Sequence, residues 1–237
     1  MQGMKKFYKA VAVEPREGGF AVLLDGKPIR TPGGKPLLAP TAALAERIAA
    51  EWRGQGERVR PAAMPHTQLL NTALDRIGEG KVRDEVVTEI AGYAATDLVC
   101  FRAAHPPVLA ERQRAAWQPL LDWLAERYGA ALAVTESLAA PRHAPAALSR
   151  IAAAVAEHDA LRLAALQLAT GALGSVVIAL ALAEGRIDAD AAFRAAHIDD
   201  LHQLEQWGED AEAMARLDRI RADIAAAAEF MRLARGG

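Results

Sequence analysis

Cysteine and aromatic residues are scarce in this chain. The first scarcity excludes an internal disulfide, and the second excludes a core formed mainly by aromatic side chains. Among 237 residues there is one cysteine, Cys100, so no disulfide can form within the chain and a reducing compartment is expected. Aromatic residues make up 5%, which leaves alanine and the aliphatic residues to form most of the core and favours helices. The basic N-terminus is not followed by an apolar run, so no secretory signal is predicted and we expect a cytoplasmic protein.

Charge of one sign does not dominate the sequence, but charge is unevenly distributed. The net charge is −2. Residues 1–80 contain 12 Lys or Arg and 8 Asp or Glu, a net +4, whereas residues 188–229 contain 4 and 11, a net −7. Such an asymmetry orients a charged partner. The basic residues are scattered and not interleaved with aromatic residues, so nucleic acid is not expected as a partner.

One long hydrophobic run is present, from Leu163 to Ala183, without a charged side chain. It is long enough to span a bilayer, and the alternative is a helix buried on all sides in a globular bundle. Its alanine, glycine and serine residues suit close helix packing inside a protein. We therefore expect a buried central helix without stable membrane insertion, in which Gly171 and Gly174 mark the close approach of neighbouring helices.

The first 80 residues have the pattern of β structure followed by a helix. Short alternating segments flank Asp25-Gly26, a strong signal for a two-residue hairpin turn. Thr41 is a plausible N-cap, and Ile48 and Trp52 lie on one apolar face of the helix that follows it. A small antiparallel sheet with one helix packed on it is therefore predicted.

From about residue 81 onward the pattern is helical nearly throughout. Gly78-Glu79-Gly80 is the predicted boundary between two domains, residues 1–80 and 81–237. The fold class is predicted to be α+β, with a small N-terminal antiparallel β domain and its packed helix followed by a larger all-α C-terminal bundle. One continuous helix is expected over residues 189–207.

Motifs for catalysis or metal binding are weak. His197 and Asp200, and likewise Asp199 and His202, lie at the i,i+3 spacing of helical neighbours. A small cytoplasmic enzyme or metal-binding protein that uses His197, Asp200 and His202 is the alternative interpretation. The glycine-containing segment at residues 171–175 has no lysine of a phosphate-binding loop. We expect no catalytic residue, no bound metal and no cofactor.

Seven stretches of the sequence are more specific than their helix and strand patterns require. They are VLLDGKPIRTP at 22–32, EWRGQGE at 51–57, MPHTQLLNTALDR at 64–76, EIAGYAATDLVCFR at 89–102, ERQRAAWQPLLDW at 111–123, LGSVVIALAL at 173–182 and QLEQWG at 203–208. In this order and spacing they resemble the ATP-twelve family of ATP synthase assembly chaperones, and the resemblance covers nearly the whole chain, from Phe7 to about Arg221.

The resemblance implies a non-enzymatic role. Family members bind the newly made alpha subunit of the catalytic head of F-type ATP synthase and shield its interface until the beta subunit replaces them. An apolar interface that is exposed before assembly is an aggregation hazard, which gives such shielding a physical reason. The resemblance also implies a small α+β domain joined to a helical domain, in agreement with the pattern of the sequence.

The resemblance also points to the acidic C-terminal helices. The family has an important acidic position about two helical turns before its Trp-Gly motif, and counting back from Trp207 places it at Asp199. This position lies within the segment of net charge −7. The partner-binding residues are therefore predicted to be Asp199, Asp200, Glu205, Glu209 and Glu212.

Overall fold

The chain divides into two compact units in a computed structural model that describes residues 4–78, 80–208 and 210–235. The first unit comprises the described residues up to Arg83, the segment Ala160–Ala165 and the described residues from Glu229 onward. The second comprises Asp84–Asp159 and Leu166–Ala228. Each unit is thus built from separate stretches of the chain, and the domain boundary near residue 80 stays a prediction.

The first unit contains a four-stranded antiparallel sheet centred on its second strand. This strand is β2 (Gly19–Leu24), and it pairs with all three others. They are β1 (Val11–Arg16), β3 (Lys27–Pro28) and β4 (Leu38–Ala39). Between β2 and β3, Asp25 and Gly26 have φ angles of 49° and 80°. Two positive φ angles are the conformation that a two-residue hairpin turn needs, so the predicted hairpin is confirmed.

Helix α1 (Ala42–Arg53) packs on β1 and β2, and α2 (Pro65–Asp75) packs on α1. The hydroxyl of Thr41 accepts the backbone N–H of Leu44 at 3.1 Å, which confirms the predicted N-cap. Ile48 is completely buried. Trp52 is partly buried and packs against a cluster that includes Tyr8. The predicted apolar face of α1 is therefore the face that covers the sheet.

The carboxylate of Glu51 joins α1 to the start of α2. It accepts the backbone N–H groups of His66 and Thr67 at 2.8 and 2.9 Å and the hydroxyl of Thr67 at 2.7 Å, while Nδ1 of His66 lies 2.8 Å from Oε1. Burial alone would raise the pKa of Glu51, but the hydrogen bonds from His66 and Thr67 outweigh it and hold the pKa below its ordinary value. The buried charge is thus fully provided with donors.

The last turn of α10 (Ala211–Ala234) is also part of the first unit. Glu229 accepts a hydrogen bond from Nε of Arg47 at 2.9 Å, and Phe230 is completely buried. The hydroxyl of Thr41 donates to the carbonyl of Leu233 at 2.6 Å. The core around α1 therefore includes residues from the far end of the sequence.

Helices dominate the described chain after residue 80, which confirms the predicted α+β class with its N-terminal antiparallel sheet. Among the described residues, no helix combines the length and the hydropathy that crossing a membrane requires. Besides α10, the helices are α3 (Lys81–Gly92), α4 (Pro107–Tyr128), α5 (Pro145–Ala156), α6 (Ala160–Leu173), α7 (Val176–Ala183), α8 (Ala189–Ala196) and α9 (Ile198–Trp207).

The long apolar run forms two helices, α6 and α7, and not the single helix that was predicted. Between them Gly174 has a φ of +63°, which ends α6 because other residues rarely adopt this conformation. A Cβ at Gly174 would meet nothing within 4 Å, and one at Gly171 would lie 4.0 Å from the hydroxyl of Tyr93. The prediction that these glycines mark close helix packing is wrong. The prediction of burial is confirmed for α7, all of whose residues are buried.

A buried carboxylate lies at the N-terminus of α7. Oδ2 of Asp97 accepts the backbone N–H of Val177 at 3.1 Å, and Oδ1 accepts that of Val99 at 3.2 Å. Negative charge is favourable at a helix N-terminus, where the first N–H groups lack partners within the helix. Burial nevertheless raises the pKa of Asp97 to about 6, although hydrogen bonds from Ser175 and Val177 act in the opposite direction.

Replacing a large side chain of α7 should destabilise the protein. Leu180 is completely buried, so Leu180→Ala is expected to lower the free energy of unfolding by about 2–5 kcal/mol, measured by urea denaturation. The control is Leu138→Ala, because Leu138 is fully exposed and its loss should change stability by less than about 0.5 kcal/mol. Equal stabilities of the two variants would contradict the burial of α7.

Asp97 should make folding less favourable as the pH rises from about 4 to about 7. Its pKa of about 6 in the folded chain lies above the ordinary value of 3.8, so the folded state holds the proton more tightly. This contribution is present below the unfolded pKa and is lost as the pH rises through the folded pKa. In Asp97→Asn it disappears, so the wild type should lose stability relative to this variant across that pH range, measured by urea denaturation. If the stability of the wild type relative to Asp97→Asn stayed constant or rose over this pH range, the raised pKa of Asp97 would be refuted.

Candidate functional site

Helix α9 carries three of the five predicted partner-binding residues and is separated from α8 at His197. A single helix over residues 189–207 was expected, and this expectation is wrong because His197 has non-helical angles, φ −113° and ψ 29°. Its ring packs against Phe193 with centroids 4.9 Å apart, and its Nδ1 lies 2.8 Å from Oδ2 of Asp200. The buried imidazole thus fixes the angle between the two helices.

Asp199 is bonded inward and does not project freely from the surface. Its Oδ1 accepts a hydrogen bond of 2.7 Å from Nε2 of Gln113, a side chain on α4 that is only 2% exposed. The amide oxygen of Gln113 accepts the backbone N–H of Ala103 at 2.7 Å. Asp199 therefore connects α9 to α4 through a buried polar group.

Asp200 connects α9 to two neighbours. Besides the contact with His197, its Oδ1 accepts a 2.6 Å hydrogen bond from the guanidinium of Arg216 on α10. The side chains of Arg216 and Asp200 are 49% and 36% exposed, so their ion pair adds little to the stability of the fold and mainly positions α9 and α10.

The remaining predicted acids lie further toward the surface. Glu205 forms an exposed ion pair of 2.6 Å with Arg112 on α4. Glu212 is exposed in the first turn of α10, and Glu209 lies outside the described residues. Of the predicted set, Asp199, Asp200 and Glu205 are brought together along α9.

An apolar groove of about 530 Å³ lies between α4, α8 and α9. We call it the C-terminal groove. Its floor consists of alanine and aliphatic side chains, which water solvates poorly and which a partner can cover. The floor residues include Ala115, Leu120, Ala195, Ile198 and Leu201.

Charged side chains line the rim of the C-terminal groove. Glu205 and Arg112 are paired there, and Arg194 is paired with Asp190 of its own helix. At the end of α9, Trp207 is 81% exposed, which is unusual for a side chain of its size. Glu205 was predicted from the sequence, whereas Arg112, Arg194 and the apolar floor were not.

The alternative cluster of His197, Asp200 and His202 is partly assembled, since His197 and Asp200 are in contact. Within residues 4–78, 80–208 and 210–235, no group of three or more His, Cys, Asp or Glu side chains is arranged to hold a metal ion. Cys100 is buried, and burial together with the neighbouring Asp97 raises its thiol pKa to about 12. A thiol with such a pKa is mostly protonated near neutral pH and is a poor nucleophile.

Comparison with known proteins gives consistent matches. The family model described as ATP12 chaperone protein matches residues 5–125, just over half of the chain. Protein atp12, mitochondrial, of Schizosaccharomyces pombe is 24% identical over 214 residues, which are 86% of this chain and 74% of that protein.

Solved structures extend the likeness to the whole chain. The crystal structure of Atp12 from Paracoccus denitrificans is 38% identical, covers 98% of this chain and 99% of its own, and superposes with a TM-score of 0.89. A variant of that protein with one aspartate changed to lysine is 37% identical, covers 98% of both chains and has the same TM-score, 0.89.

These matches and the α+β architecture define the class of the protein, which is that of the assembly chaperones. The chain belongs to the ATP12 chaperone family. The family assignment supports a role in ATP synthase assembly.

The inward bond of Asp199 predicts a difference between two substitutions. Asp199→Ala leaves Nε2 of the buried Gln113 without its acceptor and should lower the free energy of unfolding by about 1–3 kcal/mol. Asp199→Asn keeps an oxygen in place to accept that bond and should cost clearly less. Urea denaturation of both variants measures the difference, and equal losses would show that the bond does not anchor α9 to α4.

Proposed function

We propose that this chain binds the unassembled alpha subunit of the catalytic head of ATP synthase and shields its interface until the beta subunit replaces the chaperone. The observation that carries the proposal is the C-terminal groove, an open apolar surface whose rim includes the predicted acid Glu205. The family assignment supports the class of client. The role is that of a binding protein, without a catalysed reaction, and we place it in the cytoplasm.

The apolar floor provides the attraction. Covering such a surface releases water and contributes about 25 cal/mol for each Å² of apolar area removed from solvent. The floor residues Ala115, Ala195 and Leu201 belong to α4, α8 and α9, so three helices build the groove, which we expect to accept one projecting edge of a client. Small interfaces are typical of transient complexes, and a chaperone needs reversible binding because the beta subunit must later displace it.

The charged rim provides orientation. Glu205 and Arg112 are 52% and 44% exposed in their side chains, so their mutual pairing contributes little to the stability of the fold. Both can exchange that pairing for one with a client. Charges at the rim of an interface act mainly on the association rate and on the choice of partner.

The predicted acids then have two different roles. Glu205 and the exposed Glu212 face solvent and are proposed to meet the client. Asp199 and Asp200 hold α9 against α4 and α10, and thereby set the shape of the C-terminal groove. A substitution at these two positions is expected to change client binding through the position of α9.

Capture of the purified alpha subunit tests the proposal. Ala115 is an exposed residue of the groove floor, so Ala115→Asp adds a charge to the groove without removing core packing. It should weaken capture about tenfold or more, since an unpaired charge in an interface core is costly, and Glu205→Lys should weaken it a few-fold. The measurements are pull-down of the alpha subunit and light scattering during its dilution from denaturant.

Matched controls exist on the same unit. Ala222 is an exposed alanine of α10 and Glu136 an exposed acid, and neither lines the C-terminal groove. Ala222→Asp and Glu136→Lys should therefore capture the alpha subunit as the wild type does. Equal capture by Ala115→Asp and Ala222→Asp would show that the groove is not the binding surface. If the wild type did not capture the alpha subunit, the proposed client would be refuted.

A further inference from the structure

A second groove, of about 510 Å³, lies within the first unit and contains none of the predicted partner-binding residues. It runs beside the hairpin of β2 and β3 and the chain segment that precedes β1. We call it the N-terminal groove. Its lining combines aliphatic and two cationic side chains with three aromatic ones, and the aromatic side chains distinguish it from the C-terminal groove.

The floor of the N-terminal groove is apolar and held rigidly. Tyr8 and Leu24 are 4% and 5% exposed and belong to one buried cluster, against which Ile29 and Trp52 pack. The rings of Tyr8 and Trp52 meet edge to face with centroids 5.6 Å apart, and the hydroxyl of Tyr8 donates to the carbonyl of Trp52 at 2.7 Å. A surface fixed in this way loses little entropy when a partner covers it.

Among the residues that the structure describes, Asp25 is the one acid that lines this groove, and its carboxylate is already hydrogen-bonded. The carboxylate of Asp25 accepts the backbone N–H groups of Lys9 and Ala10 at 3.0 and 2.8 Å, and these bonds hold its pKa below the ordinary value. They also fix the segment that carries Phe7, whose side chain is 61% exposed at the edge of the groove. Asp25 therefore shapes the groove and offers no free acceptor to a partner.

The cations of the lining are oriented outward or bonded to neutral groups. Lys27 is exposed in the strand β3, and the guanidinium of Arg30 donates to the carbonyl of Gly34 at 2.7 Å, which leaves its charge uncompensated. Nearby, Nζ of Lys6 lies 5.0 Å from the centre of the Tyr8 ring. Lys27 and Arg30 outnumber the single carboxylate of Asp25, so the lining carries a net positive charge, which is complementary to an acidic partner.

We propose that the N-terminal groove is a second protein-binding surface, which takes a segment that carries aliphatic or aromatic side chains beside aspartate or glutamate. The apolar side chains cover Tyr8 and Trp52, and the carboxylates pair with Lys27 and Arg30. The exposed ring of Phe7 extends the apolar surface beyond the groove, which suits a chain segment better than a small ligand.

Binding of synthetic peptides to the full chain tests this proposal. The probe is a fluorescein-labelled peptide with Leu-Phe-Leu at its centre and glutamates on both sides, and its counterpart carries lysines instead. Fluorescence anisotropy should show that the acidic peptide binds at least about tenfold more tightly than the basic one, and more weakly as salt is added. Lys27→Glu and Phe7→Ala should each weaken binding of the acidic peptide about five- to tenfold.

Arg16→Glu is the matched control for Lys27→Glu. Arg16 pairs with Gly19 at the far end of the β1–β2 hairpin, whereas Lys27 pairs with Leu24 at the other end, and the charge change is the same. The control should bind the acidic peptide within about twofold of the wild type, because exposed charges at this distance are screened.

Three outcomes would overturn the proposal. They are equal binding of the two peptides, unchanged binding by Lys27→Glu, and a solution mass that exceeds one chain in the wild type and falls to one chain in Lys27→Glu. The last result would show that a second copy of this chain occupies the groove. Because alpha-subunit capture is tested separately at the C-terminal groove, failure here leaves that proposal untouched.

Discussion

The carboxylate of Asp97 at the start of α7 is the interaction on which the helical unit depends. All residues of α7 are buried, so its first backbone N–H groups have no access to water. Asp97 and the hydroxyl of Ser175 supply the acceptors, and Gly174 supplies the turn that places the helix against them. Without an acceptor, each buried N–H would cost about 1–3 kcal/mol. Burial of the carboxylate is itself unfavourable, as its raised pKa shows. Leaving the buried N–H groups at the start of α7 without an acceptor would be less favourable still.

Features encoded by neighbouring residues were predictable from the sequence, and features that depend on distant residues were not. The turn at Asp25-Gly26 and the cap at Thr41 are local and were predicted correctly. The break between α6 and α7 was missed because the apolar run continues through it, and its acceptor, Asp97, is 80 residues from Val177. A glycine followed by serine within the run was the available signal.

The same distinction applies to the candidate site. The acidity of the C-terminal helices and the position of Asp199 could be read from the sequence. The partners could not, since Arg112 is 93 residues from Glu205 and Gln113 is 86 residues from Asp199. The hydrogen bond to Gln113 identifies Asp199 as an acid that positions α9 beside the C-terminal groove. The exposed pair with Arg112 identifies Glu205 as an acid at the opening of the groove. The N-terminal groove differs from the C-terminal groove by its aromatic side chains, Phe7, Tyr8 and Trp52, so we expect the two surfaces to select different parts of a client.

The placement of the last turn of α10 has a consequence for synthesis. The first unit takes its sheet from the beginning of the chain, but its core also contains Phe230, and Thr41 donates to the carbonyl of Leu233. A ribosome makes the strands long before these residues, since Thr41 and Leu233 are 192 positions apart. The N-terminal unit therefore cannot complete its core until most of the helical unit has also been made, although its strands emerge earlier. An assembly chaperone thus passes through a state with an exposed core during its own production.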